Sequence, residues 1–195
     1  MRQFETPLGA TPLNPDEIEG LKLKHITTRA ELDRWEQDNI QDAIGWLESR
    51  QNAEILNEKF ITLLHKKMFG RVWKWAGNFR RSNKNIGVEW LHIPVELRHL
   101  LNDVNYWIEN KVYSHDEIAY RLHHKLVWIH LFPNGNGRHS RLMADVLMSD
   151  VFGLEPFTWG TVNLTEDGMT RKRYIDALMA ADEQDYNLLE AFVRS

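Results

Sequence analysis

Between Ser114 and Gly153 the chain places two helical stretches on either side of a short breaker segment, and this leaves few folds open. Ser114 with Glu117 three residues on forms a capping-box start. Ile118, Leu122, Leu126 and Ile129 then fall on one apolar face, so the reading is a helix from Ser114 to Phe132. Pro133 ends that helix, because the residue before proline is pushed out of the helical region. Gly135-Asn136-Gly137 reaches positive φ at little cost. A second helix follows, with Leu142, Val146 and Leu147 buried and Gly153 as its stop. Two helices joined by a tight bend are the expected centre of the fold.

The bend also carries chemistry. His130 closes the apolar run, and an imidazole with an ordinary pKa of about 6.5 can take a proton near neutral pH. Successive amides in a glycine-rich turn make an anion-binding concavity. The N-terminus of the second helix adds open amides and a favourable dipole. Arg138 and Arg141, at i and i+3, share a face near that end, and two guanidiniums match phosphate oxygens in a bidentate way. Each feature alone has an ordinary explanation: a core histidine, a turn, surface arginines. The ordered set points to a polyphosphate site beside a base. Neither a Walker loop, GxxxxGK[ST], nor a strand leading into GxGxxG occurs.

The 195 residues suffice for one domain with a large core, and 43% hydrophobic with 27% charged residues is a globular balance. A net charge of −4 argues against bulk nucleic-acid binding. Without cysteine, disulfides and thiolate metal sites are excluded. Met1-Arg2-Gln3-Phe4-Glu5 has no apolar signal core, and no apolar run is long enough to span a bilayer. The expectation is a cytoplasmic protein with neither nucleic-acid nor membrane partners. Residues 1–13, broken by Pro7, Gly9 and Pro12, read as a flexible tail, and 14–195 as a single domain. Within it, 14–50 hold N-terminal helices and 51–195 the core. Helices are expected at Asn14-Pro15, over about 28–49, 53–68, 94–110, 168–181 and 185–193. Residues 71–93 read as irregular, with short strands around Gly87 to Leu91. The class is all-α with one small hairpin.

At His130–Arg141 the sequence resembles the Fic (Fido) family, whose signature is HxFx[DE]GNGRxxR; every fixed position matches except Asn134. The resemblance runs from about Trp35 to the C-terminus, through Trp73–Arg80, Asn85-Ile86-Gly87, Ile93-Pro94, Tyr174–Leu178 and Ala181-Asp182. In detail the chain is most similar to the bacterial subgroup labelled mobile mystery protein B. The resemblance implies a Fic-like helical bundle with a small β-hairpin flap. The activity it implies is protein adenylyltransferase: AMP passes from ATP to a Ser, Thr or Tyr hydroxyl of a target protein, with self-modification a further outlet. His130 is the implied general base. Asn136 holds the α-phosphate or the turn itself, and counts with His130 and Arg138 as catalytic. Gly135 and Gly137 offer amides to the β- and γ-phosphates, Arg138 clamps the β-phosphate and Arg141 the γ-phosphate. A phosphate-transferring branch has Lys in place of Gly137, so glycine favours AMP transfer. Asn85, Ile86, Gly87 and Val88 form the flap that docks the target by main-chain pairing.

Two positions qualify this picture. Asn134 stands where the family carries the acid that binds Mg²⁺, and an amide oxygen lacks the charge a hard cation prefers. Mg²⁺ would then arrive mainly on the ATP phosphates. Weakened AMP transfer, altered chemistry and a binding-only relic all follow from that change. The first ranks highest, because His130, both glycines and both arginines remain. Glu36 sits where an N-terminal inhibitory helix is expected, although Leu32 and Gln37 depart from the [ST]xxxE[GN] pattern. Its carboxylate is expected on Arg141. Two rivals stand beside this reading: a catalytically silent nucleotide- or protein-binding module, and an HD-type metal phosphohydrolase built on His115-Asp116 with His99, His123 and His124.

Overall fold

In a computed structural model, which describes residues 11–50, 54–160 and 168–195, helix α5 (His115–Ile129) forms the axis around which the others pack. It contacts α4 (Ile93–Asn110), α6 (Asn136–Val146), α7 (Met169–Asp182) and α8 (Asn187–Val193). The Ser114 hydroxyl accepts the Glu117 N–H at 3.1 Å and starts α5 as its sequence requires. Ile118, Leu122, Leu126 and Ile129 are all buried. So are Ala119, Tyr120, His123 and His124 on the flanks, which makes α5 an enclosed helix rather than an amphipathic surface one.

A second layer is built by α2 (Arg29–Ser49) on α3 (Glu58–Phe69), which in turn meets α6. The face of α2 is not purely apolar. Leu32, Ile40 and Ala43 are buried beside two polar side chains, Glu36 and Asn39. Asn39 is satisfied by the Lys67 carbonyl at 2.8 Å and the Arg71 N–H at 2.9 Å. The short α1 (Pro15–Glu19) starts at Asn14, whose N–H donates to Glu17 Oε2 at 2.7 Å. Just beyond α1, Leu21 forms an isolated antiparallel bridge with Trp73.

Three expectations are corrected. The first motif helix ends at Ile129, not Phe132, because His130 turns into the left-handed region at φ 59°, ψ 64°. The expected β-hairpin is not seen: no strand forms over residues 80–92, and Trp90–His92 is a single 3₁₀ turn leading into α4. The backbone acceptors of this loop go to a side chain instead. Arg80 donates to the Ser82 carbonyl at 2.8 Å and to the Val88 carbonyl, so the loop has no ladder to build. Third, of the segment read as a flexible tail, residues 1–10 lie outside the described residues, but Thr11 is only 6% exposed and is held against the motif loop.

Candidate active site

The geometry of the candidate site starts from a strained residue. A non-glycine residue in the left-handed region costs about 1–2 kcal/mol, so His130 needs support from its surroundings. Arg80, itself buried, supplies it: Nε donates to the His130 carbonyl at 2.6 Å and Nη2 to the Ile129 carbonyl at 3.4 Å. The strain lifts the imidazole off the helix and into a cavity of about 500 Å³. Burial, reinforced by the Arg80 guanidinium and more weakly by Lys84, pushes the His130 pKa down to about 4, against a small opposing effect of the Val127 backbone. The ring is therefore neutral at pH 7. Its Nε2 lies 2.8 Å from the Thr11 hydroxyl, and a neutral ring protonated on Nδ1 accepts that hydroxyl's hydrogen.

The loop after His130 is locked from both sides. Asn136 Oδ1 accepts the Phe132 N–H at 2.9 Å and Asn136 Nδ2 donates to the Phe132 carbonyl at 2.8 Å. The Asn136 side chain thus holds the turn, with one Nδ2 hydrogen not used in it; of its two expected roles, the structural one is observed. His65 holds the other side. Its Nδ1 accepts the Gly77 N–H at 3.0 Å, which leaves Nε2–H to donate to the Asn134 carbonyl at 3.1 Å. The same ring stacks on Phe132 at 3.7 Å. Gly135 sits at φ 80°, and a Cβ there would lie 2.6 Å from the Phe69 ring. Gly135 as N-cap of α6 brings no capping side chain, so the first-turn amides are left without a side-chain cap beside the cavity that Gly137 and Arg138 help to line.

The two arginines differ in their engagements. The Arg141 guanidinium lies 5.3 Å from the centre of the Tyr174 ring. Arg138 Nη1 pairs with Glu36 Oε2 at 2.7 Å, while Glu36 Oε1 accepts the Trp73 indole N–H at 2.5 Å. The Glu36 carboxylate therefore reaches the first motif arginine, not Arg141 as expected. It comes from the buried polar face of α2, which is why that face is imperfectly apolar. Ile86 and Gly87 line the cavity, and Gly87, at φ 95°, packs so close to His130 that a Cβ would be 2.5 Å from the His130 Cβ. Asn85 and Val88 flank them; neither lines the cavity. Asn134 lines the cavity too, with Oδ1 accepting the Gly135 N–H at 2.6 Å and Nδ2 donating to the Thr11 carbonyl at 3.3 Å.

The HD-type grouping does not assemble. His115 stacks on Phe152 and Asp116 pairs with Arg194 at 2.8 Å. His123 meets the Tyr174 hydroxyl at 3.1 Å, and His124 meets Asp182 at 2.8 Å. His99 is exposed. Thr11, Arg80 and His65 are the neighbours of the motif that the sequence does not announce. Arg80 ends the Trp73–Arg80 stretch, but nothing periodic marks a threonine in a tail.

Fold and site together define an all-helical domain whose central helix pair carries a cation-lined anion cradle beside a neutral imidazole. Residues 55–148 match the Fic/DOC family. A protein adenylyltransferase Fic from Aedes aegypti is 30% identical over 181 residues, which are 87% of this chain and 34% of that protein. One from Culex quinquefasciatus is 32% identical over 153 residues, 73% of this chain and 28% of that protein. Among solved structures, BepC of Bartonella tribocorum with bound AMPPNP superposes with a TM-score of 0.70 at 16% identity, covering 93% of this chain and 97% of that one. Fic-1 of C. elegans superposes with a TM-score of 0.62 at 22% identity, covering 80% of this chain and 46% of that one. The chain belongs to the Fic/DOC family, and it spans about a third of the length of the curated relatives it matches.

Proposed function

We propose that the chain transfers AMP from ATP to a hydroxyl of a protein. The observation that carries this reading is the pairing of a neutral His130, its Nε2 against a hydroxyl at 2.8 Å, with the open first turn of α6 in the same cavity. In the proposed step the acceptor oxygen attacks the α-phosphorus. The bond to the bridging oxygen breaks, pyrophosphate leaves, and the hydroxyl proton passes to Nε2. First-turn amides of α6 with Arg138 and Arg141 receive the phosphates. Val127, Trp128, Ile175 and Leu178 give the cavity an apolar wall suited to a base. Glu36 on Arg138 holds the site down until it is displaced.

A divalent ion accompanies ATP in this chemistry, and the protein offers it little. Asn134 Oδ1 is turned onto the Gly135 N–H, and Asp182, the carboxylate among the cavity-lining residues, is paired with His124. Among the described residues no three His, Asp or Glu side chains converge as metal ligands. These donors do not make a metal site by themselves, and no step here runs through one. That same feature favours the second reading, a silent nucleotide- or protein-binding module. The test is label transfer from α-labelled ATP onto lysate proteins by the wild type and His130→Ala. Labelling lost in His130→Ala supports the transferase; equal labelling supports the silent module.

A further inference from the structure

Thr11 is the group His130 actually meets, and it does not arrive there by chance contact. The segment from Thr11 to Glu17 is tied down at successive residues. The Thr11 carbonyl accepts from Asn134 Nδ2 at 3.3 Å, and the Pro12 carbonyl from Lys84 Nζ at 3.3 Å. Asn14 Nδ2 donates to Ser82 Oγ at 3.0 Å, and Glu17 pairs with Lys84. All of these partners belong to the loop before α4 or to the motif bend. Gly87 lets that loop approach His130 closely.

From this geometry we infer that Thr11 is an acceptor for AMP in its own molecule, so that the N-terminal segment is a built-in substrate of the site. The inference rests on the AMP-transfer reading and names its acceptor. Thr11 Oγ1 forms the new bond to the α-phosphorus. The α-phosphorus–bridging-oxygen bond breaks, pyrophosphate carries away the electron pair, and the Oγ1 proton passes to His130 Nε2. The cavity that Thr11 lines is also lined by Gly137, Arg138 and Arg141, so the hydroxyl and the phosphate-binding groups share one space. Asn134 gains a reason here. Its amide donates to the Thr11 carbonyl, and a carboxylate at that position has no hydrogen to give and would face the carbonyl oxygen instead.

The experiment incubates the full chain with ATP and Mg²⁺, in the wild-type and the Glu36→Gly backgrounds, and locates added AMP by intact mass and peptide fragmentation. One AMP on Thr11 is expected, at a fractional rate independent of protein concentration. Thr11→Ser retains it; Thr11→Val and His130→Ala lose it. AMP on another residue, or unchanged labelling in Thr11→Val, overturns the assignment while leaving AMP transfer standing. A rate that rises with protein concentration overturns the intramolecular acceptor. If neither background labels itself or any lysate protein, the AMP-transfer reading fails and Thr11 fails with it.

Discussion

Replacing Glu36 by glutamine separates competition from scaffolding at Arg138. In the native site Glu36 Oε2 holds Arg138 Nη1 at 2.7 Å and Oε1 accepts from Trp73 Nε1 at 2.5 Å, with the carboxylate side chain 4% and the arginine 16% exposed. Glutamine has the same shape, and its carbonyl still accepts from Trp73, so the packing of α2 is kept. Its amide then turns N–H groups toward Arg138, which has only donors, so the charge and the hydrogen bond on Arg138 disappear together. A hydrogen bond to a charged group contributes about 1.5–3 kcal/mol, and that is the hold on Arg138 that is lost. Arg138 must leave Glu36 to take a phosphate. The same amount therefore reappears as nucleotide affinity, a Kd for ATP lower by roughly 10–150-fold. The native fold loses a comparable amount of stability. The two effects have opposite signs, and calorimetric titration with a non-hydrolysable ATP analogue beside urea denaturation reads both. Lower stability with unchanged or weaker nucleotide binding would refute the reasoning, since Glu36 would then merely position Arg138.

Gly87→Ala introduces a Cβ 2.5 Å from the His130 Cβ and 2.9 Å from Arg80 Nη2, at a φ of 95° that L side chains rarely adopt. The loop has to lift, with a stability loss of about 1–3 kcal/mol and a slower AMP-labelling rate at little change in ATP binding. An unaltered rate removes the loop from the account of His130. Acidification should destabilise the fold between about pH 6.5 and 4. Burial lowers the pKa of His65, His123, His124, His130 and His139, the last two to about 4. The unfolded chain then binds protons that the native state refuses, at up to about 1.4 kcal/mol per pH unit per histidine. Asp145, raised by burial to about 6, has the opposite sign and offsets part of one histidine. Urea midpoints at pH 7 and pH 5 measure the difference; an equal midpoint contradicts it.

The parts that sequence reading reached are those with local causes. Ser114, Ile118, Leu122 and Leu126 specify α5 through a cap and a 3.6-residue period, and both features are in the structure. The bend at Gly135 needs positive φ, and the glycine announces it. The end of α5 was misjudged because Pro133 is the local signal, whereas His130 leaves the helix under the pull of Arg80, fifty residues away. The segment from Asn85 to Leu91 reads as a hairpin because strand pairing and side-chain capture of carbonyls look alike in sequence; Arg80 decides between them.

The chain by itself determined an all-helical body and a base, a glycine turn and two arginines in fixed order, since period, capping and backbone freedom act over a few residues. Which group meets which was settled by packing. Glu36 found Arg138 rather than Arg141, Asn136 bonded the Phe132 backbone, and Thr11 came to rest on His130. Those pairings join positions as far apart as 119 residues, and only burial in a common cavity, which raises the cost of leaving a polar group unpaired, selects them.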